Sequence, residues 1–173
     1  MKNIKLIVAL FSCLIVLSSC KKDAESSAEM EVYLQDAPAS GLEKIKIHVK
    51  GVSIYSQASG SWVSLTVNNG LFDLLTLDST NQAFLGKIKL KGGTIDQLQL
   101  VIGSDNSVVV NGISHPLVLD ASDLDKLKVK INYKLNGGSF YKLTIDFKAS
   151  ESIDENGGVY KLKASLKISV KQV

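Results

Sequence analysis

Lys161-Leu162-Lys163-Ala164-Ser165-Leu166-Lys167-Ile168-Ser169-Val170-Lys171 alternates without a break. Leu162, Ala164, Leu166, Ile168 and Val170 fall on one face, and Lys161, Lys163, Ser165, Lys167 and Ser169 on the other. Successive side chains of an extended strand point to opposite faces, so a period of two over this length marks a half-buried β-strand. A helix through the same residues would scatter its apolar set around the whole cylinder instead of gathering it into one stripe.

The same period runs outward through the chain. Lys126–Leu135 places Leu127, Val129, Ile131, Tyr133 and Leu135 on one face, and Tyr141, Leu143, Ile145 and Phe147 alternate with Lys142, Thr144, Asp146 and Lys148. Lys44–Lys50 alternates too, with Ile45, Ile47 and Val49 at odd positions, whereas Val52 and Ile54 beyond Gly51 are even. An inserted residue flips the apolar parity in this way, and glycine suits the backbone, so a β-bulge is expected at Gly51. Shorter strands are expected at Glu31–Leu34, Trp62–Val67, Lys87–Leu90, Gln97–Ile102, Val108–Val110 and Leu117–Leu119. Turn signals such as Ser59-Gly60, Asn68-Asn69-Gly70, Gly92-Gly93, Asn111-Gly112, Asn136-Gly137-Gly138 and Asn156-Gly157-Gly158 separate them. The pattern predicts an all-β domain, an antiparallel β-sandwich of immunoglobulin- or transthyretin-like Greek-key type. Helical turns are expected only from Ser122 and near Thr80–Leu85.

The first residues follow another rule. Lys2 and Lys5 precede a run from Leu6 to Leu17 that only Ser12 and Cys13 interrupt. A run of about 12 residues is too short for a bilayer, which needs about 20, and a charged start before a short apolar core is the layout of a secretory signal. Leu17-Ser18-Ser19-Cys20 resembles the bacterial lipobox. The resemblance implies lipidation of the Cys20 thiol, cleavage before it and acylation of the new amino terminus. Residues 1–19 are thus read as signal peptide, 20–29 as lipidated cysteine and flexible tether, and 30–173 as a single domain. Lys21–Glu29 has no large apolar residue with which to offset its ordering entropy. Its charged opening partly resembles the surface-export signals of Bacteroidetes lipoproteins. Cys13 would leave with the leader and Cys20 would be blocked by lipid, so no thiol would remain for a disulfide, a metal or catalysis.

Several short motifs, taken in order, resemble the bacterial lipoprotein domain of unknown function 4382. They are Val32-Tyr33-Leu34-Gln35-Asp36-Ala37-Pro38; Ile45–Ile54 around Gly51-Val52; Trp62 with Leu65; Phe72-Asp73-Leu74-Leu75; Asp146-Phe147 and Ser152-Ile153; and Tyr160-Lys161-Leu162-Lys163. The similarity runs from about Glu31 to Ile168. Lys91-Gly92-Gly93 and Lys148 depart from the family pattern. The resemblance implies a β-sheet domain, exported and lipid-anchored, and assigns no activity.

Catalytic signatures are sparse. His48 and His115 lack the paired spacing of a zinc site and read as surface histidines. No nucleophile elbow, phosphate loop or dinucleotide fingerprint occurs, and no cofactor is implied. Asp120, Asp123 and Asp125 form one acidic cluster and Asp154-Glu155-Asn156-Gly157 another. Calcium needs six to eight oxygens; a helix cap and a hairpin turn explain the two clusters more simply. Asp36 reads as a turn cap at the end of a strand.

The basic residues are all lysine: 18 remain after the leader, with no arginine. They crowd the outward positions of strands, as in Lys126, Lys128, Lys130 and Lys134. Lysine on strands protects against edge-to-edge aggregation, and such stripes also attract anionic polymers by charge. Loss of Lys2 and Lys5 lowers the formal charge from +3 to +1, which argues against nucleic acid as a partner. The expected protein is a lipid-anchored outer-membrane module on the periplasmic or surface face. It would bind or scaffold rather than catalyse, with a glycan or another envelope protein as partner. Cys20 is its lipidation site, and Lys126, Lys128, Lys130, Lys134 and Trp62 are its candidate binding surface. The alternatives are an envelope hydrolase using loop carboxylates and a calcium-binding β-module.

Overall fold

The computed structural model describes residues 26–36, 41–119, 127–163 and 165–173. The leader, Cys20, Ala37-Pro38, the helical turn expected from Ser122, the cluster Asp120, Asp123 and Asp125, and Lys126 lie outside the described residues. Thirteen strands are described in chain order: β1 Ser27–Gln35, β2 Lys44–Ser56, β3 Ser61–Thr66, β4 Leu71–Asp73, β5 Ala83–Lys91, β6 Gly93–Ile102, β7 Ser107–Val110, β8 Ile113–Val118, β9 Lys128–Leu135, β10 Phe140–Asp146, β11 Ile153–Asn156, β12 Val159–Leu162 and β13 Lys167–Gln172. One-turn helices at Leu74–Thr76 and Ala149–Ser152 complete them.

The strands form two sheets in a sandwich-like, all-β arrangement. One has the order β13-β10-β1-β5 and the other β11-β12-β8-β7-β2-β6-β9, with β3 and β4 also paired to β2. Met30, Val32, Leu34, Leu143 and Ile145 from the first sheet and Ile45, Ile47, Val52, Ile54, Leu98 and Leu100 from the second are buried in one core. Each such side chain contributes about 1.5–3 kcal/mol by leaving water.

β2 is the spine of the larger sheet, and the bulge expected at Gly51 is present. Val49 pairs with Ile102 and Gly51 with Val101, which leaves exposed Lys50 as the extra residue. A side chain at Gly51 would place its Cβ 2.6 Å from the Leu65 carbonyl oxygen, so the close approach of β3 requires glycine. Both neighbours of β2 break at this level. β3 gives way to β4 through Asn68-Asn69-Gly70, where the Gly70 carbonyl accepts from the Val49 N–H. β6 gives way to β7 through residues 103–106, where Asn106 accepts from the His48 N–H and donates to the Gly103 carbonyl.

Four expectations need correction. The sheets are mixed rather than wholly antiparallel, because β1 runs parallel to β10 and β12 to β8. The members of each parallel pair lie far apart in sequence, as parallel strands must, since no tight turn can join them. Lys161–Lys171 is two strands, β12 and β13, in different sheets. Between the two strands the Ser165 N–H donates to Ser152 Oγ and the Lys163 N–H to the Ser152 carbonyl. Leu162, Leu166, Ile168 and Val170 still face the core, so the alternation survives the change of sheet. Thr80–Leu85 is not helical: Asp78 accepts from the Thr80 and Asn81 N–H groups in a bend that leads into β5. Finally, β1 begins at Ser27, three residues inside the segment read as tether, because Ala28 is buried with Met30 between β5 and β10.

Candidate functional site

The register of the larger sheet assembles a surface on its solvent face. Trp62 on β3 lies opposite Tyr55 on β2, Tyr55 opposite Gln97 on β6, and Gln97 opposite Lys130 on β9. The next row reads Ser64, Ser53, Gln99 and Lys128. Strands lie about 4.8 Å apart, so each row crosses about 14 Å of surface. Trp62, 41% exposed, meets Tyr55 edge-to-face at 5.6 Å between ring centroids. Ser53 and Ser64 share a 2.9 Å hydrogen bond.

Irregularities in two strands converge beside the first row. Asp96 is an extra residue in β6 relative to β2. β9 spends Ile131 and Asn132 where β6 spends Asp96 alone, and Asn132 sits in the left-handed region at φ 48°. Asparagine tolerates that region better than most residues, and bulges commonly re-aim side chains near functional sites. A shallow cleft of about 400 Å³ results, lined by Asp96, Gln97, Lys130 and Asn132. Both carboxylate oxygens of Asp96 accept from the Gln57 side-chain amide at 2.8 Å.

Of the residues expected at a binding surface, Trp62, Lys128 and Lys130 therefore share one face. Lys134 is on it too, opposite Thr94 and beyond the bulge. Lys126 and Cys20 lie outside the described residues. Tyr55, Gln97, Asp96 and Asn132 were not in the expected set. A signal for the Asp96 bulge was available in the sequence, since apolar parity flips between Ile95 and Leu98 as it does across Gly51.

The motif acids act as structural fasteners. Asp36 is buried, and its Oδ1 accepts from the Ala149 N–H at 2.8 Å, fixing the end of β1 to the turn after β10. Ser152 donates to the Phe147 and Lys148 carbonyls in the same corner. Asp73 accepts from the Ile45 and Leu75 N–H groups, which ties the short helix to β2. The Asp154–Asn156 segment is a hairpin arm. Asp154 meets Lys163 at 2.6 Å, and this hydrogen bond holds its carboxyl below the usual aspartate range. His48 approaches Asp105 at 3.5 Å, and His115 packs on Tyr160. Among the described residues no group of three or more His, Cys, Asp or Glu gathers as metal ligands would.

The opposite face, on the four-stranded sheet, carries Tyr33 against Phe84 at 5.3 Å and beneath Lys142 Nζ at 4.3 Å. Glu31 accepts from Lys87 and Tyr33, and these bonds, that from Lys87 first, hold its carboxyl below its ordinary value.

No curated protein matches the chain. A crystal structure of a protein from Bacteroides eggerthii, described as a putative cell adhesion protein, is similar at 12% identity and a TM-score of 0.37; the similarity covers 84% of this chain and 55% of that one. The family described as domain of unknown function (DUF4382) matches residues 27–164, and the chain belongs to that family.

Proposed function

We propose that this protein is a non-enzymatic binding module of the cell envelope, held to the outer membrane by lipid on Cys20, and that it takes an anionic glycan on the Trp62–Tyr55–Gln97–Lys130 face. The observation that carries the reading is the in-register row of two aromatic rings, one amide and one lysine beside the Asp96–Asn132 cleft. Aromatic rings offer apolar contact area to the C–H faces of a sugar. Gln97, Asn132 and Asp96 offer paired donors and acceptors to its hydroxyls. Lys128 and Lys130 attract acidic substituents without the fixed fork geometry of arginine. The lipobox at Leu17–Cys20 supports the anchor, since several acyl chains together hold a protein stably at a membrane.

Two measurements test the proposal. Cells fed labelled palmitate should incorporate it into the wild type and not into Cys20→Ala, which should be released from the membrane fraction. Incorporation that survives the substitution refutes the anchor. On an array of neutral and acidic glycans the protein should retain acidic glycans in a salt-sensitive way, because exposed charges are screened beyond about 8 Å at physiological ionic strength. Trp62→Ala and Lys130→Glu should each abolish retention with the fold intact. Retention unchanged by both variants refutes the site.

A further inference from the structure

Both sheets share one end, and it is the end from which the N-terminal segment departs. The turns at residues 57–60, 92 and 136–139 all lie there, with Ser26 and the C-terminal Val173. Ser26 is hydrogen-bonded into these turns. Its carbonyl accepts from Gly92 N–H, and the Ser27 carbonyl accepts from Gly138 N–H. Gln57 N–H donates to Thr94, and Val173 N–H donates to Phe140, which closes the end.

The surface there is apolar and basic. Phe140 is 58% exposed and Val173 76% exposed, and they meet side by side. Phe140 stands between two shallow clefts of about 300 and 330 Å³, which share Glu29 as a lining residue. Lys89, Lys91, Lys134 and Lys171 ring the end, all exposed. Three acids lie at the same level: Glu29 and Glu31, 3.5 and 3.0 Å from Lys87, and Asp96, held by Gln57. The far end is mixed in charge: Glu43, Asp73, Asp78, Asp105, Glu151, Asp154 and Glu155 lie there with Lys44, Lys46, Lys148, Lys163 and Lys167, and Lys148 pairs with Glu151 and Lys163 with Asp154.

Only six Cα steps separate Cys20 from Ser26, a reach of at most about 20 Å. The strands of β2 run for about 40 Å, since each residue rises about 3.3 Å. A lipid on Cys20 would therefore keep this end within about 20 Å of the bilayer, about half the length of β2.

We propose that this end is a membrane-contact surface. Phe140 enters the headgroup region, Lys89, Lys91, Lys134 and Lys171 meet anionic lipid phosphates, and the end that bears residues 103–106 stands away from the membrane. The inference rests on the Cys20 anchor of the proposed function. Its physical basis is charge complementarity with a negatively charged leaflet together with partial burial of apolar side chains at the interface.

The test uses the lipidated full chain in vesicles of phosphatidylethanolamine and phosphatidylglycerol, and in vesicles of phosphatidylcholine alone. Cys20 carries the lipid, so a nitroxide can be placed at one new cysteine, Asn136→Cys at the tether end or Ser104→Cys at the far end. In the anionic vesicles the label at 136 should favour oxygen over a water-soluble nickel complex several-fold more than the label at 104. Phe140→Ser, or Lys89→Gln with Lys91→Gln, should remove the difference while the chain stays vesicle-bound. Each lysine lost should weaken the contact about five-fold, the equivalent of about 1 kcal/mol. Equal water access at 136 and 104 in a vesicle-bound chain overturns this inference alone. A chain that carries no lipid overturns the anchor and this inference with it.

Discussion

At the residue scale, a few side chains hold positions that no others can fill. Gly51 is one: its Cβ would meet backbone rather than a flexible side chain. Gly51→Ala should cost about 1–3 kcal/mol, the usual penalty for overpacking, read as a lower urea midpoint with an unchanged slope. The exposed carboxylates make a second prediction, about acid. Glu31, beside Lys87 and Tyr33, and Asp154, beside Lys163, titrate below their ordinary values. Asp78 does too, through bonds from the Thr80 hydroxyl and the Asn81 and Thr80 N–H groups. A depressed folded-state value means stability that is fully present above the ordinary carboxylate range. It is lost as pH falls through the lowered folded values. Urea midpoints should therefore drop on acidification below that range, and Lys87→Met should return the Glu31 carboxyl, followed by NMR, towards ordinary titration. A Glu31 titration unmoved by Lys87→Met would refute the assigned cause.

At the element scale, the lysine strands lie where charge protects an edge. β5, β9 and β13 each end a sheet order. On β5, Lys87 and Lys89 face Glu31 and Glu29; on β9, Lys128 and Lys130 face Gln99 and Gln97; on β13, Lys167 faces Asp146. Only Lys171 faces another lysine, Lys142, and the latter lies over the Tyr33 ring. Lysine on an edge discourages pairing with a second molecule. Lys128→Val with Lys130→Val should leave the fold intact and produce concentration-dependent association, visible by sedimentation velocity. A variant that stays monomeric at high concentration would assign these lysines to ligand binding alone. The bulge in β9 makes its own prediction. Asn132→Val forces a β-branched residue into left-handed backbone, so it should cost about 1–3 kcal/mol in chemical denaturation.

At the scale of the molecule, the first described strand is central rather than peripheral. β1 lies between β10 and β5 and contributes Ala28, Met30, Val32 and Leu34 to the core. Deletion of Ser27–Met30 should abolish cooperative thermal unfolding followed by circular dichroism, whereas deletion within Lys21–Glu25 should leave the transition where it is. A cooperative transition after the first deletion would show that the two sheets can close without the start of β1.

The sequence by itself determined whatever is local in period or chemistry. Alternation named the inward residues Ile45, Ile47, Leu143, Ile145 and Phe147, all buried, and kept Lys128 and Lys130 in solvent. A parity flip located the Gly51 bulge, because one inserted residue exchanges the two faces of a strand. Tertiary structure alone decided partners. Alternation is blind to which strand lies alongside, so the parallel pairing of β1 with β10 and the passage of Lys161–Lys171 from one sheet to the other left no mark in the period. The candidate site belongs to the same class. Trp62, Tyr55, Gln97 and Lys130 lie on four strands, and only the ladder registers and the Asp96 and Asn132 bulges bring them into one row. Burial writes itself into sequence as a repeating pattern, whereas side-by-side placement across strands depends on long-range pairing that no local pattern records.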